Sequence, residues 1–454
     1  MVAPSRAGIR RRTRLSRVSR LSGPTGIDLD EDRAQWHGTF SDLERRAALW
    51  NYSLFLHGED AVADNLSPYI DAAPREEQKY FLATQQVDEA RHAVFFGRFM
   101  QEVVRTGATM ADALAATEPE LTWGFRKVFE RLDRMAGELR KDRSAPQLAA
   151  AVTLYHLVIE ASLAQPGQHF IEDYLVARDV LPGFRSGMRN VALDEQRHIA
   201  FGVKLLADLH RSDPDVKFAV AELLREVIPW ATAVFVPPGW DERYVECFGA
   251  TIEEVFASGA SSLEQKLRAA GLPPEELPGG VPIPTDLSDA ERARRGVSML
   301  RGRYLGESGP VDRSPELLAT YFDSIKRAVD PAGIPDGPLT IQWAFTDAEP
   351  WHLRIDNGST DVGPGRRPDA DIMAFRALVL RDPAPIRRLG ESRRGQKDDQ
   401  AEAGQGRFQH RERLPHGFTI ARGSRRSACL SSPQARSPAP LRRPAGALRP
   451  FARP

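Results

Sequence analysis

The chain has 454 residues, 41% hydrophobic and 27% charged, enough apolar material for a sizeable core and two to three domains. Sixty-two basic residues offset 62 acidic ones, and this zero net charge excludes a whole-chain nucleic-acid binder. Two cysteines, Cys247 and Cys429, exclude a disulfide framework and fit a reducing cytoplasm, and no apolar run of about 18 residues marks a membrane span.

Residues 1–27 include "RAGIRRRTRLSRVSR", Arg-rich and free of acids; they read as a solvated basic tail, with a transit peptide as the other reading. No apolar stretch follows to make a secretory signal. From about 41 to 260 the pattern is helical. "SDLE" at Ser41–Glu44 is a capping box opening the first long helix. Its apolar stripe runs Leu49, Tyr52, Leu56, Ala63, Leu66, with Glu59 inside it. A second helix is expected from Pro74 to Gly107 and a third over 118–142. A fourth begins near Ser144 and meets Pro166, which should kink or break it. A fifth follows "LPG" at 181–183, and a sixth covers about 214–235. Long antiparallel helices with modest connections imply an up-down bundle, and the helical domain is placed at 28–260.

A Pro/Gly-rich linker is expected over 261–294, centred on "GLPPEELPGGVPIPTD". After a helical segment near 315–329, "LTIQWAF" and "WHLRID" alternate apolar residues with period two and lead into the turn signal "DNG". A small α+β domain is therefore placed at 295–385. From 386 to 454 the chain is rich in Arg, Pro, Gly and Ser without periodicity: either a disordered tail or a shifted reading frame that truncates the second domain.

The chemistry lies in a repetition. "VDEARH" carries Glu89 and His92, and "LDEQRH" carries Glu195 and His198, each pair three residues apart on one helix face. Each pair has a lone upstream acid, Glu59 at 30 residues and Glu160 at 35. The order is Glu, then Glu-x-x-His, twice, and a four-helix bundle folded from two helix pairs brings all six to its centre. This is the arrangement of ferritin-like di-metal carboxylate proteins. Four carboxylates offset the charge of two divalent ions, two imidazoles suit iron or manganese, and the absence of thiolates argues against zinc or an iron–sulfur cluster. One Glu-x-x-His alone is common on helix surfaces, but burying four acids without cations is too costly to occur by chance. Asp88 and Asp194 precede the motif glutamates and are expected to accept a hydrogen bond from a metal-binding His, across the bundle; the plainer reading is two solvated acids.

Over roughly 28–240 the chain resembles the ribonucleotide-reductase-small-subunit-like ligand-binding oxidases, on "FLHGEDAVADNLSPYI", "AVTLYHLVIEASLAQPG" and "LPGFRSGMRNVALDEQRHIAFG". The resemblance implies a ferritin-like fold, a manganese–iron site (or two irons), dioxygen as co-substrate, a long-chain fatty acid beside the metals, a homodimer, and an ether crosslink between a Tyr and a Val. The crosslink positions fall on Val62, three after Glu59, and Tyr155, five before Glu160; both types also suit plain core packing. One position departs: where the family has a Tyr eight residues after the third Glu, this chain has Gln168.

The function expected is thus a dioxygen-activating oxidase acting on C–H bonds. A reductase small subunit generating a radical is the first alternative, disfavoured because the radical Tyr four residues after the first motif His is replaced by Phe96. A non-catalytic lipid-binding or metal-storage protein is the second. The stretch "LTIQWAFTDAEPWHLRIDNGSTDVGPGRRPDADI" resembles a sterol-carrier-protein lipid-binding domain; a generic α+β appendage is the other reading.

Overall fold

The computed structural model describes residues 26–307, 309–329, 337–345, 348–356 and 358–376; the basic N-terminus, the tail from 386 and Cys429 lie outside them. A short helix that periodicity did not show, α1 (Asp30–Gly38), comes first. Then Ser41 caps α2 (Asp42–Asn65) as expected: its Oγ accepts from the Glu44 N–H and its own N–H donates to Glu44 Oε2 at 2.7 Å. The stripe on α2 does not run straight to Leu66, because Pro68 opens a separate short helix, α3 (Ser67–Ala72).

The second long helix, α4 (Glu76–Phe99), continues through wider π-type turns over Met100–Val104. It is stopped by Arg105 in a left-handed conformation (φ 69°) rather than by Gly107, the expected stop. A short helix that was not expected, α5 (Met110–Thr117), comes next; the third expected helix is α6 (Trp123–Leu139), which starts after a tight turn holding Pro119.

Pro166 does not break the fourth rod. The chain winds as α7 (Ala145–Val152), widens into π-type turns over Thr153–Ala164, and resumes as α8 (Gln165–Arg178). Pro166 falls in the first turn after the wide segment, where its missing N–H and fixed φ are tolerated. This rod is long and apolar enough to cross a membrane, but most of it is buried inside the bundle.

The fifth helix, α9 (Pro182–Ser212), starts from Leu181 in a left-handed conformation (φ 49°) and has no cap of its own. Asp32 of α1 supplies one: its carboxylate, fully buried, accepts from the N–H groups of Gly183 (2.9 Å) and Phe184 (2.6 Å). α10 (Val216–Thr232) and the short α11 (Arg243–Glu246) follow.

The architecture is a ferritin-like bundle whose four central rods are α2, α4, the 145–178 rod and α9. One apolar core joins α6, α7, the π-type turns, the end of α9 and α10. A second, aromatic one packs Trp36, Tyr52, Phe95, Phe99 and Phe184 among α1, α2, α4 and α9. The expected linker is shorter than 261–294: α12 (Ile252–Ala269) fills its start and α13 (Asp289–Arg301) its end, and Leu272 and Leu277 between them are buried in the first core. After α14 (Pro315–Arg327) come β1 (Leu339–Phe345) and β2 (Trp351–Asp356), the two expected strands, then β3 (Ser359–Pro364) and β4 (Ile372–Arg376). The sheet order is β3-β2-β1-β4, antiparallel except for the parallel β1–β4 pair. Phe322 of α14 stacks on Trp351 at 4.7 Å to close its inner face.

Candidate metal centre

Four rods deliver the six residues singled out above. Glu59 comes from α2, Glu89 and His92 from α4, Glu160 from the π-type turns, and Glu195 and His198 from α9; all six are buried. Their donor atoms form two overlapping nests. Glu59, Glu89, His92 and Glu195 make one, and Glu89, Glu160, Glu195 and His198 the other, with the atoms of each set within 4.8 Å of one another. Glu89 and Glu195 belong to both, which is the place of carboxylates that bridge two cations.

Each imidazole turns Nδ1 inward. His92 Nδ1 lies 3.3 Å from Glu59 Oε2 and 3.3 Å from Glu89 Oε2; His198 Nδ1 lies 3.1 Å from Glu89 Oε1. Each turns Nε2 outward to the aspartate of the opposite motif. His92 Nε2 is 3.4 Å from Asp194 Oδ2, and His198 Nε2 is 3.5 Å from Asp88 Oδ2. Arg197 in turn pairs with both aspartates from the solvent side. The crosswise arrangement presents each ring's inner nitrogen to the nests.

A cation pair fits this set. Glu160 Oε2 and Glu195 Oε2 are buried without a hydrogen-bond partner, which is costly unless something else coordinates them. Without cations the cluster must hold protons. Burial pushes Glu59 up to about 7 and Glu195 up to about 8, and holds Glu160 well above the ordinary carboxyl range. Glu89 goes the other way: burial would raise it, but the imidazoles of His198 and His92 keep it well below. Burial likewise opposes charge on both imidazoles, yet the surrounding carboxylates prevail, raising His92 well above its ordinary value and His198 up to about 11. Two divalent cations would replace those protons and leave four carboxylates matched in charge.

An apolar cavity borders Glu59, Glu89, Glu160 and Glu195. Leu54, Phe55, Val62, Phe129, Leu163 and Phe235 are among its walls. Val62 thus stands in the wall beside the acids. Tyr155 is buried next to the cluster and donates its hydroxyl to Glu89 Oε1 at 2.6 Å. Phe96 stacks on Phe55 (5.4 Å between centroids) in the aromatic core. Gln168 is buried on α8, its amide nitrogen without a partner, and is not among the residues lining the cavity.

Two residues at the site escaped sequence reasoning. Gln85 donates to Glu160 Oε1 (2.8 Å) and to the Tyr155 hydroxyl (2.9 Å), and His156 contacts Gln85 Oε1 (3.2 Å). The available signal was spacing: Gln85 precedes Glu89 by four and so shares its helix face.

Residues 23–232, which carry the six donors together with Gln85, Tyr155 and His156, match the family model "Ribonucleotide reductase, small chain". Among solved structures, the chain is similar to an R2-like ligand-binding oxidase from Sulfolobus acidocaldarius at 25% identity over 56% of this chain and 88% of that one (TM-score 0.45). It is also similar to a glycine-to-phenylalanine variant of an R2-like ligand-binding oxidase with an anaerobically reconstituted Mn/Fe cofactor, at 21% identity over 54% and 87% (TM-score 0.46). A tyrosine-to-phenylalanine variant with an aerobically reconstituted Mn/Fe cofactor matches at 21% over 55% and 88% (TM-score 0.46).

Proposed function

We propose that the helical bundle is a di-metal oxidase that uses dioxygen to attack a C–H bond, with Glu59, Glu89, His92, Glu160, Glu195 and His198 as the metal-holding residues. The observation that carries this reading is two overlapping four-donor nests bordering an apolar cavity. Manganese with iron, the pairing named for two of the oxidase structures above, or two irons would suit the oxygen-rich, thiolate-free donors. When bound, such a redox-active pair would supply the reduction of dioxygen and the oxidising power for C–H cleavage.

The chain's own residues would do the rest. The apolar walls would take a long acyl chain, of fatty-acid type, and keep water from the acids. Asp194 and Asp88 hold His92 and His198 with their inner nitrogens facing the nests. Tyr155 and Val62 are the internal substrates: joining Tyr155 Oη to Val62 removes one hydrogen from each, the two electrons and two protons going to dioxygen, whose reduction to water two further electrons from the metal pair and two protons from solvent would complete. The reductase reading is weaker, because Phe96 puts no oxidisable phenol at the radical position. For the sheet unit we carry forward a lipid-holding role on its sterol-carrier resemblance; any helix closing it after Arg376 lies outside the described residues.

Intact-mass and peptide analysis before and after aerobic metal loading tests this reading. A loss of two hydrogens that joins the Val62 and Tyr155 peptides is expected. A chain that takes up two metals and dioxygen yet forms no link would remove Tyr155 and Val62 from the scheme, and one that binds no transition metal would end it.

A further inference from the structure

We propose that Gln85, locked by His156, is the positioning residue that aims the Tyr155 hydroxyl at Glu89 and keeps Glu160 turned into the metal nests. The proposal deepens the oxidase reading and rests on it, since what the tyrosine does is defined there.

Gln85 is buried on α4, one turn before Glu89. A buried amide must place two N–H donors and one carbonyl acceptor, and here each has one chemically consistent destination. Glu160 accepts through Oε1, the oxygen without a partner, Oε2, being the one left for its proton in the metal-free chain, so the amide nitrogen faces Oε1 at 2.8 Å, and the second amide proton goes to Tyr155 Oη at 2.9 Å, with Glu89 Oε1 within 3.3 Å. The carbonyl oxygen is then left facing His156 Nε2 at 3.2 Å, so the imidazole must donate from that nitrogen. Burial, with His198 nearby, pushes His156 down to about 3, so it is neutral.

The consequence falls on the phenol. Because Tyr155 Oη accepts from Gln85, its own proton is free for one partner, Glu89 Oε1 at 2.6 Å. A flipped or absent amide would present no donor to Tyr155 and would leave a Glu160 oxygen unpaired inside the bundle. α9 holds the lock shut: a Cβ on Gly202 would lie 2.3 Å from both Cβ and Cγ of His156, so only glycine lets the helix lie against that ring. Gln85, His156 and Gly202 form a chain of contacts from α9 to the tyrosine that includes none of the six proposed metal-holding residues.

The test uses the full chain as wild type, Q85L, H156F, G202A and Y155F. Metal content is measured after loading with manganese and iron. The metal-free proteins, labelled with ¹³Cζ-tyrosine, are compared by NMR, the Tyr155 signal being the one missing in Y155F. The yield of the Tyr155–Val62 linked peptide is the third readout. Q85L is expected to keep two metals, shift the Tyr155 signal and lower the linked yield at least about tenfold, the scale of loss for a misplaced reactant. H156F and G202A should move the signal and the yield in the same direction by less, and they carry the test if Q85L does not fold. A wild-type signal and yield in the folded variants, or loss of a metal with an unmoved Tyr155 signal, would overturn the proposal. If the wild type itself forms no link, the crosslinking part of the oxidase reading fails, and the NMR shift alone decides whether Gln85 positions the phenol.

Discussion

Glu195 stands in both donor nests and pairs with His92 at 3.6 Å, yet one of its oxygens has no hydrogen-bond partner. In the metal-free chain it is a liability whose size depends on pH. Unfolded, its proton leaves near the ordinary 4.5; folded, burial holds it to about 8. Between these values folding takes up a proton, so stability falls as pH rises across that window. His198 adds to the same slope: its stabilisation is full below its ordinary 6.5 and is lost as pH climbs toward about 11. Glu89, held low, acts only on the acid side, where its contribution is lost as pH falls below the ordinary range. The metal-free protein should therefore be less stable at about pH 8.5 than at about pH 6, by on the order of 5 kcal/mol, since each of the two groups titrates over about two units in that window. E195Q should flatten part of that fall, and metal loading should abolish it by keeping the carboxylates charged. Urea midpoints at the two pH values measure this; a rise with pH in the metal-free chain would contradict the account of buried protonated acids. At this scale the sequence was most informative. A residue that must bind a cation cannot be swapped for a neighbour, so two spaced Glu-x-x-His copies stood out. Gln85 did not, because one amide on a helix face also fits an ordinary polar surface position.

At the scale of elements, the π-type turns decide where two side chains go. Tyr155 and Glu160 are five apart; at the α-helical 100° per residue they would diverge by about 140° around the axis. Winding closed by i→i+5 bonds brings them toward one face, and Gln85 reaches both. The wide segment also needs outside support, and α12 gives it: Ser262 Oγ donates to the Ala161 carbonyl at 2.6 Å. Gly259, one turn earlier, passes so close that a Cβ would lie 2.6 Å from the Ser162 carbonyl oxygen. G259A should push α12 off this segment and cost about 1–3 kcal/mol, the range for overpacking a tight contact. Urea denaturation reads it, and an unchanged midpoint would mean that α12 is not the brace. A 3.6-residue pattern cannot announce such winding, since the rod is apolar on every side and has no phase to lose. Pro166 gives the one hint, but for a helix of single pitch it implies a kink or a break rather than a change of winding.

At the scale of the whole molecule, the cavity is assembled from α2, α4, α6, the 145–178 rod, α9 and the segment after α10, so no local pattern foretold it. Phe55, Phe129, Leu163 and Phe235 each look like ordinary core in the sequence; the opening exists because they line a space without filling it. The fold class was legible because amphipathic periodicity reports what a helix must bury, whereas an unfilled space leaves no periodic mark. That space separates the oxidase reading from metal storage, which needs donors but no apolar chamber beside them. Leu163, almost wholly buried in the cavity wall and three residues from Glu160, is the position to fill. L163W should occupy much of the chamber while leaving all six donors in place. Two metals per chain are expected, together with at least about a tenfold loss of bound fatty acid, since an acyl chain denied even two buried methylenes loses about 1.6 kcal/mol. Solvent extraction with mass spectrometry of the purified protein, set beside its metal content, measures both. If fatty acid stays bound at wild-type levels while the metals are retained, the chamber is not the lipid site, and a storage role would regain its footing.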